Sequence, residues 1–223
     1  MKSKFTRKEQ LLNRLVLHSM DNAGAIGLLY GQTGIAAVLA RYARASGESD
    51  FEIVADALID NVTEKIKGSK DISFAYGISG ICWGIEYLIQ EGIMPGPGHG
   101  ICEKADEYVM KTPPNSIEDF SLERGLPGLW QYVWARVQGN MIEGLPLPFT
   151  ERYLSDWYKI VSENPEEFPH GAAERLRMAL EGKLVKMPLN IGTFVKRPRR
   201  LDENNLSLRS GIAGVIETKY NRV

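Results

Sequence analysis

A Gly-x-x-Gly tetrapeptide recurs along this chain, each time at the start of an apolar stretch with helical spacing. The copies are Gly31-Gln-Thr-Gly34, Gly77-Ile-Ser-Gly80, Gly125-Leu-Pro-Gly128 and Gly211-Ile-Ala-Gly214. Their first glycines are 46, 48 and 86 residues apart, and the last interval is close to two periods. A fixed period of this length is typical of repeat architectures. The spacing therefore predicts a chain built from repeated helix pairs.

Between the copies, apolar residues recur at three-to-four spacing, which predicts amphipathic helices. The predicted helices cover roughly residues 6–20, 35 to near Gly47, 51 to Gly68, 81 to Gly92, 101–111, 129–137 and 150–163, the last with Thr150 as N-cap. Residues 185–205 are expected to be extended or irregular, and no strand pairing is indicated. The helices after the motifs are the more apolar, so we expect them inside and the others outside. Glycine at the start of each inner helix favours a ring over an open solenoid.

One segment has two interpretations. Gly171 lies 46 residues after Gly125 and 40 before Gly211, so residues 170–183 could form a degenerate motif copy and an inner helix. The alternative is an additional outer helix, which we favour because Glu174 replaces the second glycine. Either way, the fold class expected is all-α.

Length and composition indicate one globular domain over residues 1–223, with 43% hydrophobic and 25% charged residues. The net charge of −1 gives no electrostatic reason for a nucleic-acid or membrane partner. The basic run over 196–200 lacks interleaved aromatic residues, so we expect a solvated loop there. Neither a secretory signal nor a membrane-spanning run is evident, and Cys82 and Cys102 form no disulfide framework. We therefore expect a cytoplasmic protein.

The residues around the motifs resemble the inner-helix repeats of the lanthionine synthetase C-like family. The segments that carry the resemblance are 27–35, 74–81, 122–129 and 208–215, and it extends over about 5–221. It implies an α/α toroid. In the complete enzymes it implies a zinc-dependent cyclase that adds cysteine thiols to dehydrated serines or threonines of a precursor peptide. This chain has room for fewer helix pairs than the family's full ring, so we expect an incomplete ring, and an open edge favours self-association or a partner.

The cyclases of this family hold zinc with a cysteine in a Trp-Cys-Tyr-Gly-like motif and with a Cys-His pair. Here the residues before the motif glycines are Tyr30, Tyr76, Arg124 and Ser210, none of which is a zinc ligand. The other ligand types, which form no clustered motif, are His18, Cys82, His99, Cys102 and His170. We therefore expect no cofactor. His170 precedes Gly171 as a zinc-binding histidine precedes glycine in the family, and the alternative is an exposed residue near a helix start.

Helix N-termini gathered at one face could present free N–H groups to an anion or a peptide carboxylate. The guanidinium of Arg124 would add two parallel N–H donors for a carboxylate or phosphate group. The predicted cavity mouth comprises Tyr30, Gly31, Tyr76, Gly77, Arg124, Gly125, His170, Arg209 and Ser210. The alternative is that the glycines only permit helix crowding while the tyrosines fill the centre of the ring.

These residues favour a zinc-less, non-cyclising protein that binds a peptide or a peptide-modifying enzyme in ribosomal peptide modification. A first alternative is an active peptide-modifying enzyme of the thioether cyclase type, with a site not recognised here. A second is a sugar-active helical toroid, which would need two carboxylates facing one cavity. The candidates for that pair are Glu86, Asp119, Glu123, Glu174 and Glu217.

Overall fold

The computed structural model describes residues 5–21, 25–96 and 99–221, apart from the side chains of His99 and Ile101. All regular structure in these ranges is helical, which confirms the all-α class expected for a toroid of this kind. The α-helices are α1 Arg7–His18, α2 Gln32–Ser46, α3 Ser49–Ile66, α4 Ile78–Gln90, α5 His99–Val109, α6 Leu126–Ile142, α7 Glu151–Glu163, α8 Ala172–Leu180 and α9 Ile212–Tyr220. Short 3-10 helices cover Pro114–Ser116, Pro165–Glu167 and Ile191–Phe194. No helix in the described part is long and apolar enough to cross a membrane.

Local sequence signals account for the helix ends. Thr6 caps α1 in a capping box, in which Glu9 N–H donates to the Thr6 hydroxyl and Thr6 N–H donates to Glu9 Oε2 at 2.6 Å. The predicted cap of α7 is confirmed, because Thr150 Oγ1 accepts a hydrogen bond from Tyr153 N–H. Helix α2 ends at Gly47, whose φ of 76° is left-handed. These ends follow from residues within one turn of each boundary.

The chain forms two compact units, which are described separately. Unit 1 comprises Met1–Ser69 with Asn190–Val223, and unit 2 comprises Lys70–Leu189. In unit 1, α2 packs against α3 and α9, and α9 also contacts α1. In unit 2, α4 packs along α6 and against α5, while α7 packs against α8. Whether the whole chain behaves as a single domain stays a prediction.

Unit 2 has an aromatic core. The indole rings of Trp130 and Trp134 stack with centroids 6.2 Å apart, and Trp157 lies 5.8 Å from Trp130. Phe168 packs edge-on against Trp130 at 6.1 Å. All four rings are buried, so together they form a continuous aromatic cluster.

The segment with two interpretations contains helix α8, which packs against α7. Its N-cap is Gly171, with a left-handed φ of 74°. The first glycines of the four motifs instead have extended backbones, with φ between −99° and −136°. Gly171 therefore does not repeat the motif geometry, which favours the interpretation of an additional helix.

Candidate functional site

The first glycine of each motif is the N-cap residue of the helix that follows it, α2, α4, α6 or α9. A Cβ at any of the four would lie 2.0–2.4 Å from the carbonyl oxygen six residues earlier. No real side chain tolerates such a distance, so glycine is required for close backbone approach. The glycines concerned are Gly31, Gly77, Gly125 and Gly211.

The loop before each helix binds back to the helix start. In every copy the N–H of the first helical residue donates to the carbonyl oxygen seven residues earlier, at 2.7–2.8 Å. In α9 the next residue, Ala213, also donates into the loop, to Leu206 O at 3.2 Å. In one of the two interpretations of the motifs, N–H groups at these helix starts are free for an anion. They are instead engaged within the loop, which limits what a helix start can offer to a ligand.

The loops carry a second signal that the sequence analysis missed. In three copies an Asp or Asn lies six residues before the glycine and a Ser lies four before it: Asp71 and Ser73, Asp119 and Ser121, Asn205 and Ser207. The serine N–H donates to the Asx side-chain oxygen at 2.6–3.0 Å, which forms an Asx turn. Hydrogen bonds from Ser121 lower the pKa of the Asp119 carboxyl. The spacing Asx-x-Ser-x-x-x-Gly could have been recognised from the sequence.

Two of the predicted residues meet in unit 2. The motif loops pair there, with Ala75 N–H donating to Glu123 O at 2.9 Å. The Arg124 guanidinium lies 5.1 Å from the centre of the Tyr76 ring, a cation–π contact between the residues that precede Gly77 and Gly125. Tyr76 is 44% exposed and Arg124 is exposed. The pair therefore forms a surface feature whose guanidinium edge can meet an anionic group.

The corresponding loops of unit 1 pair in the same register, because Arg209 N–H donates to Leu29 O at 2.9 Å. The Arg209 side chain was predicted to line a cavity mouth, but only 6% of the residue is exposed. Its guanidinium donates to Phe194 O at 2.5 Å. Ser210 is half-buried, and its hydroxyl accepts a hydrogen bond from the Asn205 side chain at 3.2 Å. Arg209 thus holds a neighbouring backbone segment within unit 1.

A cavity of about 410 Å³ opens beside the first motif in unit 1, which is within the usual size range of small-molecule sites. Tyr30 and Gly31 line it, as expected, together with Gln32. Gln32 is buried, and its amide donates to Ser19 O at 3.0 Å and accepts from the Asn61 side chain. The floor is therefore fixed by satisfied hydrogen bonds.

Charged residues that the sequence analysis did not bring together line part of this cavity. His18 Nδ1 and Asp21 Oδ2 are 2.6 Å apart, an arrangement in which the carboxylate orients the imidazole. Arg14 also lines the cavity and donates to Glu203 O at 2.6 Å. The side chains at 14, 18 and 21 lie near the end of α1 and come from outside any motif. Both signs of charge are present, which suits a ligand with mixed donors and acceptors, such as a peptide.

His170 lies at the surface of unit 2, immediately before the left-handed Gly171. Its carbonyl oxygen accepts a hydrogen bond from Arg175 Nη2 at 2.6 Å. The exposure matches the alternative weighed for this residue, an exposed histidine near a helix start.

A buried ionic cluster lies in unit 2. Arg136 on α6 is 1% exposed, and its Nη2 donates to Asp106 Oδ2 at 2.6 Å. Its Nη1 donates to Glu86, and Tyr132 donates to Asp106. The Arg136 guanidinium forms ion pairs with both carboxylates. Burial raises the pKa of both Glu86 and Asp106. Every charged member has a partner, so the cluster primarily ties α4, α5 and α6 together.

Three of the five carboxylates considered for sugar chemistry pair with other side chains. Glu86 belongs to the ionic cluster, and Glu217 accepts from Arg41 and from Asn221. Glu174 pairs with Arg177 at 2.7 Å. None of the five lines the cavity beside Tyr30 in the described part of the chain.

Metal-binding side chains do not gather in the described ranges: no three His, Cys, Asp or Glu residues there could hold one ion. Cys102 Sγ donates to Cys82 O at 3.9 Å, and both thiols are free and buried. Burial raises the pKa of the Cys102 thiol well above its ordinary value. The side chain of His99, another residue of a zinc-ligand type, lies outside the described part of the chain.

Comparison with known proteins gives one match. A family model described as lanthionine synthetase C-like protein matches residues 25–162, which include the first three motif copies and more than half of the chain. Neither the curated proteins nor the solved structures contain a match.

Proposed function

The chain belongs to the lanthionine synthetase C-like family, and from this premise we propose that it binds a peptide without closing a thioether ring in it. It would act in the cytoplasm as a zinc-less accessory protein of ribosomal peptide modification. One observation carries the proposal. The cyclases have a zinc-binding cysteine two residues before a motif glycine, where this chain has Leu29, Ala75, Glu123 and Arg209. The residues directly before the glycines are Tyr30, Tyr76, Arg124 and Ser210, so neither position holds a cysteine or a histidine.

The cavity beside the first motif supports the peptide-binding part of the proposal. Its volume of about 410 Å³ suits one or two side chains or a chain terminus. The Tyr30 side chain offers an aromatic surface at the wall, and Arg14 and His18 offer polar groups. A peptide has both apolar side chains and main-chain amides, so it can use both kinds of surface.

The experiment uses a synthetic peptide that contains one dehydroalanine and one cysteine. The purified protein is incubated with it and added zinc, and free thiols are then counted by alkylation and mass spectrometry. We expect the cysteine thiol of the peptide to remain fully available for alkylation. Fluorescence polarisation should show that the peptide binds to the protein. Tyr30→Ala should weaken binding about tenfold, equal to about 1.4 kcal/mol. Tyr158→Ala, at an exposed tyrosine in unit 2, is the control and should leave binding unchanged.

The alternative function, a peptide-modifying enzyme, is favoured by the contact between His18 and Asp21 at the cavity wall. An imidazole oriented by a carboxylate can act as a general base and could activate a peptide thiol. The same assay separates the two functions. Loss of alkylatable thiol with the wild-type protein, but not with a folded His18→Gln variant, would replace the accessory role with catalysis. If the peptide neither binds nor cyclises, both functions fail.

A further inference from the structure

The basic run over 196–200 contributes to a groove in unit 1. This groove has a volume of about 320 Å³, and its lining includes Arg7, Arg197, Arg199 and Lys219. Leu201 and Val215, which are both partly exposed, supply apolar surface in the same groove. The segment is therefore part of a shaped surface, whereas the sequence predicted only a solvated loop.

The groove carries an excess of positive charge, because no Asp or Glu is among its lining residues. Arg7 pairs with Glu203 at 2.7 Å, and both side chains are about half exposed. Among the ion pairs of the described residues, none engages Arg197, Arg199 or Lys219. Three cations are thus available to an anionic partner.

The backbone that presents the arginines is held in place. Buried Arg209 donates to Phe194 O at 2.5 Å, and its own carbonyl oxygen accepts from Lys196 N–H at 2.6 Å. Phe194 is buried, and Pro198 fixes φ between the two arginines. The backbone that leads into the arginines is thus already ordered as far as Lys196, which favours affinity.

We propose that this groove binds an acidic peptide segment in which carboxylates alternate with apolar side chains. Guanidinium groups match carboxylates in a forked geometry, and the apolar surface of Leu201 and Val215 suits aliphatic side chains. A nucleic acid has no aliphatic side chains to fill that surface, so an acidic peptide matches the groove better. The groove shares no lining residue with the cavity beside Tyr30, so this inference does not depend on the proposed function.

The test is fluorescence polarisation with the full chain and labelled probes. The main probe is a short peptide alternating Glu and Leu. A second peptide alternates Glu and Ser, and a single-stranded oligothymidylate carries the same number of charges. We expect the Glu–Leu peptide to bind best, several-fold tighter than the Glu–Ser peptide, and to weaken as salt is added.

The variant Lys219→Glu should bind the Glu–Leu peptide several-fold more weakly than the wild type, and the double variant Arg199→Glu/Lys219→Glu at least about tenfold more weakly. Lys67→Glu is the matched control for Lys219→Glu. Both lysines are exposed, both lie at the end of a helix of unit 1, and Lys67 does not line the groove. It should leave the affinity unchanged, and circular dichroism should show all variants folded.

Three results would overturn the inference. One is equal affinity for the two peptides, which would mean that charge alone acts. Another is tighter binding of the oligothymidylate, which would make the groove a nucleic-acid site. The third is an equal loss with Lys67→Glu, which would mean that the effect is one of net charge. The Tyr30→Ala variant should bind the Glu–Leu peptide as the wild type does, so failure here is distinguishable from failure of the proposed function.

Discussion

Arg136 lies in the core of unit 2 with its guanidinium between the carboxylates of Glu86 and Asp106. The three residues lie on α6, α4 and α5, far apart in sequence, so no local pattern predicts that they meet. Glu86 was considered only as one of several carboxylates for sugar chemistry. A buried cation with two anions is costly to take apart, because each group left behind loses both water and its partner.

We predict that Arg136→Met reduces the free energy of unfolding by about 3–5 kcal/mol, because two buried carboxylates lose their cation. Urea-induced unfolding followed by circular dichroism gives the measurement. Arg177→Met is the matched control, since Arg177 also joins two carboxylates, Glu174 and Glu181, but at the surface. Its effect should stay below about 1 kcal/mol. Equal losses in the two variants would contradict the structural role assigned to the buried cluster.

At the scale of elements, the sequence predicted most helices because their ends depend on nearby residues such as Thr6, Gly47 and Thr150. It placed the third motif helix at 129–137, whereas α6 runs from Leu126 to Ile142. Pairing between loops was not predictable in the same way. Arg124 lies directly before Gly125 and is exposed on Tyr76, whereas Arg209 lies two residues before Gly211 and is buried. The partner that the buried guanidinium finds, the carbonyl of Phe194, is set by packing and not by the motif.

In each motif loop, the first glycine lies directly against a backbone carbonyl oxygen and leaves no room for a Cβ. We predict that Gly77→Ala reduces the free energy of unfolding by about 1–3 kcal/mol, since its Cβ would overlap an oxygen that helps to start α4. That oxygen, Asp71 O, would be 2.0 Å from the new atom. Gly100→Ala in α5 is the control, because nothing lies within 4 Å of a Cβ there and its φ is not positive. It should stabilise the protein by up to about 0.5–1 kcal/mol, and a loss as large as that of Gly77→Ala would show that the loop contact is unimportant. Urea denaturation measures both.

At the scale of the whole molecule, both ends of the chain build unit 1, while unit 2 is continuous in sequence. If unit 2 unfolded alone, residues 70–189 would become a flexible loop joining the two parts of unit 1. Closing a loop of that length costs ~4 kcal/mol in chain entropy. This is a large fraction of the 5–15 kcal/mol, roughly, that stabilises an ordinary domain. Unit 1 is therefore expected to lose much of its stability when unit 2 unfolds.

We predict that the chain unfolds as one domain, as its length and repeats indicated. The residue content of the units allows a direct test, because all four tryptophans and both cysteines lie in unit 2. Tryptophan fluorescence and thiol labelling therefore report on unit 2, whereas far-ultraviolet circular dichroism reports on the helices of both units. The three urea transitions should coincide, and Gly77→Ala should shift them together. A fluorescence transition that is complete while half of the helical signal remains would show instead that unit 1 holds its fold without unit 2.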